Sequence, residues 1–238
     1  MSSTRLPGKV LADLAGAPML VRVVERARRA RLIHQVAVAT SIDAADDAIA
    51  ELCLQRGFAF TRGSATDVLD RFYHAAVAFS ADVVVRLTGD CPLIDPSLID
   101  EALEAFLQSD PAFDLVANRL PEGRDVPIGL DVEVCSMQAL ARAWREADQP
   151  HQREHVLPYL YDVPGRFRVQ LLRRQPSFGT LRWTVDTPQD LEAVRQIYAR
   201  FPGRDDFSWL EVLEVYEREP ALREINSTVR HKTHRDVG

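Results

Sequence analysis

Two aspartates that follow strand-like runs are the residues of this chain whose setting most suggests chemistry. The first, Asp90, lies in the stretch VVVRLTGDCP at residues 83–92, where three β-branched residues predict a buried parallel strand. Gly89 lets the backbone bend, and Pro92 prevents the run from continuing as a central strand. Asp90 is therefore predicted to lie at the carboxyl end of a core strand, where ligands bind in open α/β sheets.

The second aspartate, Asp186, ends another predicted strand at residues 181–186, with the sequence LRWTVD. If the two strand ends converge, their carboxylates form an oxygen-ligand site for Mg²⁺, which would serve a phosphate-bearing substrate. Two alternatives stay open at this point. Asp90 could merely cap the following turn, and Asp186 could cap the helix predicted from Thr187 onward, a role that Thr187 itself could share.

Two basic residues lie close together near the beginning of the chain. Arg5 and Lys9 fall in the polar stretch MSSTRLPGKV, which is predicted to be a loop. Such a pair could bind a polyphosphate, with Ser2, Ser3, Thr4 and the backbone as further donors. The alternative is a loose terminus with incidental charge, and spacing alone favours that alternative.

Small polar residues follow two other predicted strands. Thr40 and Ser41 end the strand at residues 35–40 and could bind a base or a ribose. Gly63 and Ser64 follow the next strand in a turn that could approach a ligand closely. Hydroxyls at strand ends also cap turns, and a glycine turn can be a simple connection, so both readings remain open.

A third motif, HQREH at residues 151–155, matches the H-x-x-E-H pattern of some zinc peptidases. Prolines closely flank the match, whereas the zinc motif needs a regular helix and a third ligand downstream. The sequence instead favours Arg153, Glu154 and His155 as a polar cluster in a substrate pocket. A surface helix with local ion pairs is the competing interpretation.

The elements that must position these residues alternate between strand and helix as far as residue 117, which predicts a doubly wound, mostly parallel sheet. The helix at residues 19–30 is predicted to carry an arginine-rich, solvated face. Residues 129–135 alternate apolar and acidic side chains, as a half-exposed strand would. The amphipathic stretch at 208–226 is predicted to pack on the body or on a second subunit. We therefore expect a main domain at 1–205, with a loop or lid insertion at about 119–165, and a C-terminal helix with a mobile tail at 206–238.

Composition limits the classes of protein that this chain can belong to. Its 238 residues can bury a sizeable core, and a formal net charge of -6 argues against a general nucleic-acid-binding protein. Three widely spaced cysteines without a CxxC pair indicate a reduced, cytoplasmic setting. No apolar run has the length of a membrane span, and the first residues carry no apolar signal core.

Taken in order, eight stretches resemble those of one family. They are STRLPGKVL, VATS, RGS, DVLDR, VVRLTGDCPLID, GLDVEV, REHV and LRWTVDTPQDLE. Together they resemble the SpsF-type cytidylyltransferases of spore-coat polysaccharide biosynthesis, which are relatives of the synthetases that make CMP-linked acidic sugars. The resemblance implies an α/β, Rossmann-like fold of the nucleotide-diphospho-sugar transferase type, with a small appended β/helical dimerisation or lid region. It also implies a homodimer that uses CTP and Mg²⁺, transfers CMP to a sugar that is expected to be acidic, and releases pyrophosphate.

The resemblance also assigns roles to residues of this chain. Arg5, Lys9 and Asp90 would be catalytic, and Asp90 and Asp186 would hold the metal. Residues that would contact the nucleotide are Ser3, Thr4, Arg5, Lys9, Thr40, Ser41, Gly63, Ser64, Thr88 and Gly89. Residues that would line the acceptor side are Asp131, Arg153, Glu154 and His155.

Three further expectations accompany this assignment. Members of the family begin with a strand and a segment like IIQAR just before the position of Met1, so the resemblance implies that this central first strand is absent. Its absence would leave neighbouring strand edges unpaired and a gap in the core. The alternative functions are a sugar-1-phosphate nucleotidyltransferase that uses another nucleotide, and an inactive nucleotide-binding homologue.

Overall fold

The computed structural model describes residues 5–230 as alternating helices and strands. The α-helices are Met19–Ala27 (α1), Asp47–Arg56 (α2), Val68–Ala78 (α3), Pro96–Leu107 (α4), Met137–Glu146 (α5), Pro150–His155 (α6), Pro158–Tyr161 (α7), Pro188–Ala199 (α8), Trp209–Arg218 (α9) and Ala221–Glu224 (α10). The strands are Asp13–Leu14 (β1), Ala17–Pro18 (β2), Ala37–Ser41 (β3), Ala59–Gly63 (β4), Val83–Arg86 (β5), Leu115–Ala117 (β6), Arg119–Leu120 (β7), Gly123–Arg124 (β8), Glu133–Ser136 (β9) and Val169–Leu171 (β10). Short 3₁₀ turns at Lys9–Leu11 and Ala44–Asp46 complete the described elements.

The sheets combine parallel and antiparallel pairs. A four-stranded sheet has the order β10-β6-β9-β5, in which β10 and β6 are parallel and β9 is antiparallel to both of its neighbours. Strands β3 and β4 form a separate parallel pair. The α/β, Rossmann-like class predicted from the sequence is confirmed, with β9 as the antiparallel member of the larger sheet.

The four-stranded sheet and the β3–β4 pair are not joined to each other by strand pairing within residues 5–230. In that part of the chain, β3 pairs with β4 alone and β5 pairs with β9 alone. One edge of β3 and one edge of β5 therefore lack a hydrogen-bonded neighbour among the described residues. The side chains of β5 are correspondingly half-buried rather than fully enclosed.

Helices cover both faces of the larger sheet because side chains along each strand alternate between its faces. Val116 and Val134 point into the main core, which also receives the apolar sides of α1, α4, α8 and α9. Leu115, Ala117 and Cys135 point the other way, into a second cluster with α3, α5 and α7. The carboxyl ends of β5 and β6 meet at one edge of this two-sided layer.

The prediction of a half-exposed strand near residue 130 is wrong. Glu133, Val134 and Cys135 are all buried, because helices pack on both sides of β9. Arg86 stands opposite Glu133 in the strand register and forms an ion pair with it. A buried acid is tolerated here because this partner neutralises it.

The predicted strand at 181–186 is also wrong as a ladder element. Its pairing is limited to an isolated bridge between Arg182 and Ile128. The segment is nevertheless fixed, since Trp183 and Val185 are fully buried. Gly129, with φ of +105°, lies so close that a Cβ there would come within 2.5 Å of the Thr184 nitrogen, so a side chain at this position would collide with backbone.

The sequence predicted that the arginines of helix α1 face solvent, but one of them does not. Arg26 is fully buried, and its Nε and Nη2 donate to the carbonyls of Ile94 (2.8 Å) and Phe207 (2.9 Å). The guanidinium is therefore a cross-link between α1 and two distant loops, in which its donors are satisfied by backbone oxygens.

The C-terminal segment packs on the body of the same chain. Trp209, Val212, Val215 and Tyr216 of α9 are buried in the main core. Between residues 5 and 230, none of the helices combines the length and the apolar character that crossing a bilayer requires. The three cysteines are free and buried.

Candidate functional site

The loop after β5 and the segment that leads to α8 are tied together through backbone. The Asp90 carbonyl accepts hydrogen bonds from the Val185 amide (2.9 Å) and from the Thr184 hydroxyl (3.2 Å). Because Val185 is buried, this contact fixes the following residue, Asp186, beside the Asp90 loop. The structure thus brings the two aspartates close together, and their shared role in holding a metal stays a prediction.

Lys9 lies between the two carboxylates. Its Nζ is 2.8 Å from Asp90 Oδ2 and 2.8 Å from Asp186 Oδ1. The two oxygens can therefore be no farther apart than twice that distance, and one cation, the Lys9 ammonium, already bridges the two carboxylates. Gly8, in a left-handed conformation with φ of 70°, precedes the 3₁₀ turn that begins at Lys9.

The choice of lysine at this position is informative. The chain has 27 arginines and only two lysines, Lys9 and Lys232. A compact ammonium with three rotatable donors can satisfy two carboxylates from one point, whereas the donors of a planar guanidinium are fixed in a fork. The carboxylates raise the pKa of Lys9 above its ordinary 10.5, although burial by itself would lower it. The ammonium is consequently charged at neutral pH.

Asp186 has two further cationic partners. Arg5 Nη2 is 3.1 Å and Arg182 Nη2 is 2.8 Å from its Oδ2. Burial alone would raise the pKa of Asp186, but Lys9, Arg182 and Arg5 together lower it to about 2. The carboxylate is therefore ionised throughout the physiological range and available as an oxygen ligand.

The N-terminal caps of the helices that follow the two aspartates are other residues. The N-terminal cap of α8 is Thr187, whose hydroxyl accepts from the Asp190 amide in a capping box. The cap of α4 is Asp95, which accepts from the Ser97 amide at 2.8 Å. The side chains of Asp90 and Asp186 therefore do not cap these helices, and both contact Lys9.

Two residues that the sequence did not single out complete the surroundings of Asp186. Arg182 is buried and also contacts Asp190, with Nε 2.8 Å from Oδ1. Asp190 is fully buried, and hydrogen bonds from Arg182 and Asn226 hold its pKa below the usual value although burial opposes this. The T-x-x-D spacing within the stretch TVDTPQD indicates the capping box of Thr187 and Asp190. It does not indicate that Asp190 also binds Arg182.

The donor set fits a hard divalent cation that shares its coordination with a ligand. Asp90 and Asp186 supply carboxylate oxygens, and Mg²⁺ is commonly held by one or two carboxylates together with substrate phosphates. In the described part of the chain, no group of three or more His, Cys, Asp or Glu side chains could enclose a metal alone. His151, from the H-x-x-E-H match, lies 2.7 Å from Asp162.

The predicted nucleoside-contacting residues form a second group at the ends of β3 and β4. Ser41 and Gly63 are opposite each other in the parallel register. The hydroxyls of Thr40 and Ser41 contact the buried Asp46 carboxylate. These two hydroxyls thus stabilise the strand end, and their contact with a nucleoside stays a prediction.

The remaining nucleotide-side predictions lie in loops. Ser64 Oγ accepts from the Asp67 amide at 3.0 Å, just before α3. Thr88 Oγ is 3.0 Å from Cys91 Sγ, which places it in the Asp90 loop. Gly89 packs against Val10, next to Lys9 in sequence, so a Cβ there would lie 3.5 Å from Val10 Cγ1. Ser3 and Thr4 fall outside the described residues.

Two of the four predicted acceptor-side residues, Asp131 and Arg153, are held by ion pairs. Arg124 grips Asp131 with two hydrogen bonds of 2.7 and 2.9 Å. Arg153 Nε donates to Asp67 Oδ2 at 2.9 Å, joining α6 to the beginning of α3. Glu154 and His155 are half-buried at the end of α6. A direct role for any of these four in substrate binding stays a prediction.

Comparisons with known proteins agree with this architecture. The sequence model of the family described as Cytidylyltransferase matches residues 1–225. The spore coat polysaccharide biosynthesis protein SpsF of Bacillus subtilis is 33% identical over 227 residues, which are 92% of this chain and 92% of that protein.

Solved structures resemble the chain over most of its length. A cytidylyltransferase from Leptospira borgpetersenii superposes with a TM-score of 0.89 at 30% identity, covering 97% of this chain and 95% of that one. A CMP:2-keto-3-deoxy-manno-octonic acid synthetase, solved as a complex with CTP, has the same fold, with a TM-score of 0.63 at 22% identity over 84% of this chain and 95% of that one. The chain belongs to the cytidylyltransferase family and is a nucleotidyltransferase.

Proposed function

We propose that this protein transfers CMP from CTP to a hydroxyl of an acidic sugar for surface polysaccharide biosynthesis, in a Mg²⁺-dependent reaction that releases pyrophosphate. The observation that supports this most directly is the Lys9 ammonium, which lies 2.8 Å from both Asp90 and Asp186. It shows one cation and two carboxylates gathered at the carboxyl end of β5, in a chain of the cytidylyltransferase family. The acidic acceptor rests on the solved relative that makes a CMP-linked octonic acid.

The reaction would be attack of the acceptor oxygen on the α-phosphorus of CTP, with pyrophosphate leaving in line. Such chemistry depends on positioning and on charge stabilisation rather than on a covalent protein intermediate. Lys9 and Arg5 would bind the triphosphate and stabilise the charge that develops on the leaving pyrophosphate. Lys9 is suited to this because its ammonium stays protonated at neutral pH.

Asp90 and Asp186 would hold the divalent cation. When bound, Mg²⁺ neutralises phosphate oxygens and stabilises the transition state. The pKa of Asp186, lowered to about 2, keeps this one of the two proposed ligands ionised at neutral pH. The hydrogen bond from the Val185 amide to the Asp90 carbonyl would keep the two carboxylates close enough to hold the ion together.

The nucleoside and the acceptor would lie on either side of this centre. Thr40, Ser41 and Gly63 at the ends of β3 and β4, together with Ser64 directly after β4, would contact the cytidine. Thr88 and Gly89 would lie beside the phosphates. On the other side, the segment at 119–165 would act as a lid and supply Asp131, Arg153, Glu154 and His155 to the acceptor. The main domain would span residues 1–205, and 206–238 would be the C-terminal part.

A pyrophosphate-release assay tests the proposal. We expect release with CTP, Mg²⁺ and one or more members of a panel of eight- and nine-carbon acidic sugars, and much less with ATP, GTP or UTP. Release with a sugar 1-phosphate, or with another nucleotide, would favour the sugar-1-phosphate nucleotidyltransferase instead. Binding of CTP without release, across a broad acceptor panel, would favour an inactive nucleotide-binding protein.

A matched pair of variants separates the proposed metal ligand from general charge effects. Asp82 and Asp90 flank the same strand, β5, at its opposite ends, and Asp82 is exposed. Asp90→Asn should lower turnover by more than about 100-fold, the scale of losing a transition-state electrostatic contact. Asp82→Asn should leave turnover within about twofold, and near-normal activity of Asp90→Asn would overturn the metal assignment.

The oligomeric state is tested separately. We expect a homodimer, and light scattering after size-exclusion chromatography should give a mass near twice the 26.8 kDa of one chain. A mass near that of a single chain, over the concentration range of the activity assay, would contradict the dimer without affecting the proposed chemistry.

A further inference from the structure

Asn226 lies in the C-terminal segment that the sequence separated from the catalytic domain, yet its side chain reaches the surroundings of Asp186. It is 4% exposed, and it stands one residue beyond the range matched by the family's sequence model. Its Nδ2 donates to the Arg182 carbonyl (3.1 Å) and to Asp190 Oδ1 (2.9 Å). Both neighbours are acceptors, so the amide nitrogen is the end of the side chain that fits here.

Asp190 in turn holds the backbone that carries Asp186. Its Oδ2 accepts from the amides of Asp186 and Thr187, each at 3.0 Å, and from the Thr187 hydroxyl at 3.1 Å. A carboxylate with this many donors and no solvent contact has one low-energy orientation. The direction in which the Asp186 backbone leaves the buried segment is therefore set by Asp190.

Arg182 links the same carboxylate to the side chain of Asp186. Its Nε and Nη2 meet the two oxygens of Asp190 at 2.8 and 2.9 Å, and Nη2 also meets Asp186 Oδ2 at 2.8 Å. One guanidinium thus orients both acids. The other oxygen of Asp186, Oδ1, remains directed at Lys9.

We propose that Asn226 is a positioning residue of the nucleotidyl-transfer site, which orients the metal-binding carboxylate of Asp186 through Asp190 and Arg182. Asn226 itself touches neither substrate nor metal. Its Nδ2 donates to Asp190 Oδ1 and to the Arg182 carbonyl. These two hydrogen bonds hold the Arg182 guanidinium in contact with both Asp186 and Asp190. The metal part of this proposal rests on the function proposed above, whereas the positioning of the Asp186 backbone does not.

The first test measures positioning without any assumption about activity. Hydrogen–deuterium exchange of the full-length protein should show faster exchange at the Asp186 and Thr187 amides in Asn226→Ala than in the wild type. Asn226→Asp should have the larger effect, because it places a second carboxylate against two acceptors although its volume is almost unchanged. A side chain that merely fills space would give the opposite order, since alanine leaves the larger cavity.

The second test measures the metal directly. With CTP present and no acceptor, Mn²⁺ binding followed by electron paramagnetic resonance should weaken by about 10-fold in Asn226→Ala, as outer-shell substitutions typically do. Ser227→Ala, at an exposed neighbour, should match the wild type. Asn118→Ala removes the chain's other asparagine, which is also buried, and should lower the melting temperature without changing exchange at the Asp186 and Thr187 amides, which Asn118 does not contact.

The outcomes separate the two proposals. If exchange at Asp186 and Thr187 in both Asn226 variants equals that of Ser227→Ala, the positioning role is wrong. If exchange rises as expected but Mn²⁺ affinity is unchanged, Asn226 does not act on the metal site, and that part of the inference fails. If the wild type binds no Mn²⁺ with CTP while exchange rises as expected, the proposed function fails and the positioning of the Asp186 backbone stands.

Discussion

The two aspartates of the site are supported in very different ways. Asp90 follows a short loop, and its carboxylate meets Lys9 at 2.8 Å and lies 3.5 Å from Cys91 Sγ. Asp186 meets Lys9, Arg5 and Arg182, and its backbone is held by a buried second acid. The difference teaches that two carboxylates that contact the same ammonium, that of Lys9, do not need equal surroundings. One carboxylate is placed by the backbone of the loop after β5, and the other by a network of side chains.

The largest effects should come from removing each acid and comparing the stability that remains. Asp90→Asn and Asp186→Asn should both lower turnover by more than about 100-fold. Asp186→Asn should also lower the free energy of unfolding by about 2 kcal/mol, because a buried guanidinium loses a charged partner, whereas Asp90→Asn should cost less than about 1 kcal/mol. Urea unfolding of the two variants measures this. Equal losses of stability would remove the distinction between the two surroundings.

A smaller effect is expected from the shared cation. Lys9→Ala should weaken CTP binding by about 10- to 100-fold, the scale of losing charge-assisted hydrogen bonds. Arg5→Ala should weaken it by about 10-fold or less, since Arg5 is more exposed than Lys9 (31% against 13% of the side chain) and is screened by water. Isothermal titration with CTP and Mg²⁺ in the absence of acceptor compares the two. A weaker effect from Lys9 than from Arg5 would contradict the central place of the lysine.

The pH dependence of stability should reveal the network around Asp186. Its pKa is lowered from 3.8 to about 2 in the folded protein, so it contributes stability that is present above pH 4 and is lost as the pH falls toward 2. The difference in unfolding free energy between wild type and Asp186→Asn should therefore shrink over that interval. Thermal melts at half-unit pH steps provide the measurement, and a difference that stays constant down to pH 2 would refute the shift.

The smallest effect is predicted beside Asp90. Cys91 is buried, and burial raises the pKa of its thiol well above 9, so the thiolate is absent at neutral pH. Cys91→Ser should keep turnover within about threefold, and iodoacetamide should leave Cys91 of the folded protein unmodified, as read by mass spectrometry. Rapid alkylation would show that the Asp90 loop opens far more than its contacts indicate.

The sequence predicted the elements of the site better than it predicted their support. Strand patterns placed Asp90 and Asp186 at the ends of buried segments. Arg5 and Lys9 were noticed as a basic pair, and the resemblance favoured a phosphate-binding role for them over incidental charge. Arg182, Asp190 and Asn226 were missed because their contacts join residues without a common period. Asn226 reaches Asp190 across 36 positions of the chain, a distance that no local pattern reports.

The errors about burial have a related cause. Arg26 falls on what reads as the polar side of an amphipathic helix, but its long side chain reaches the carbonyl of Ile94, 68 positions away. Glu133 alternates with apolar residues as in an exposed strand, yet its charge is neutralised by Arg86 across the ladder. In both cases hydrogen-bonding partners far away in sequence removed the usual cost of burying a charge.

The site contains six ionised groups, Lys9 among them, and their charges have a consequence for how ligands bind. Lys9, Arg5 and Arg182 carry three positive charges, and Asp90, Asp186 and Asp190 carry three negative ones, so the resting constellation is electroneutral. A bare divalent cation or a bare polyanion entering alone would unbalance it by several units of charge in a partly dehydrated space. The pair entering together would disturb it far less, so nucleotide and counter-ion are expected to bind with mutual cooperativity.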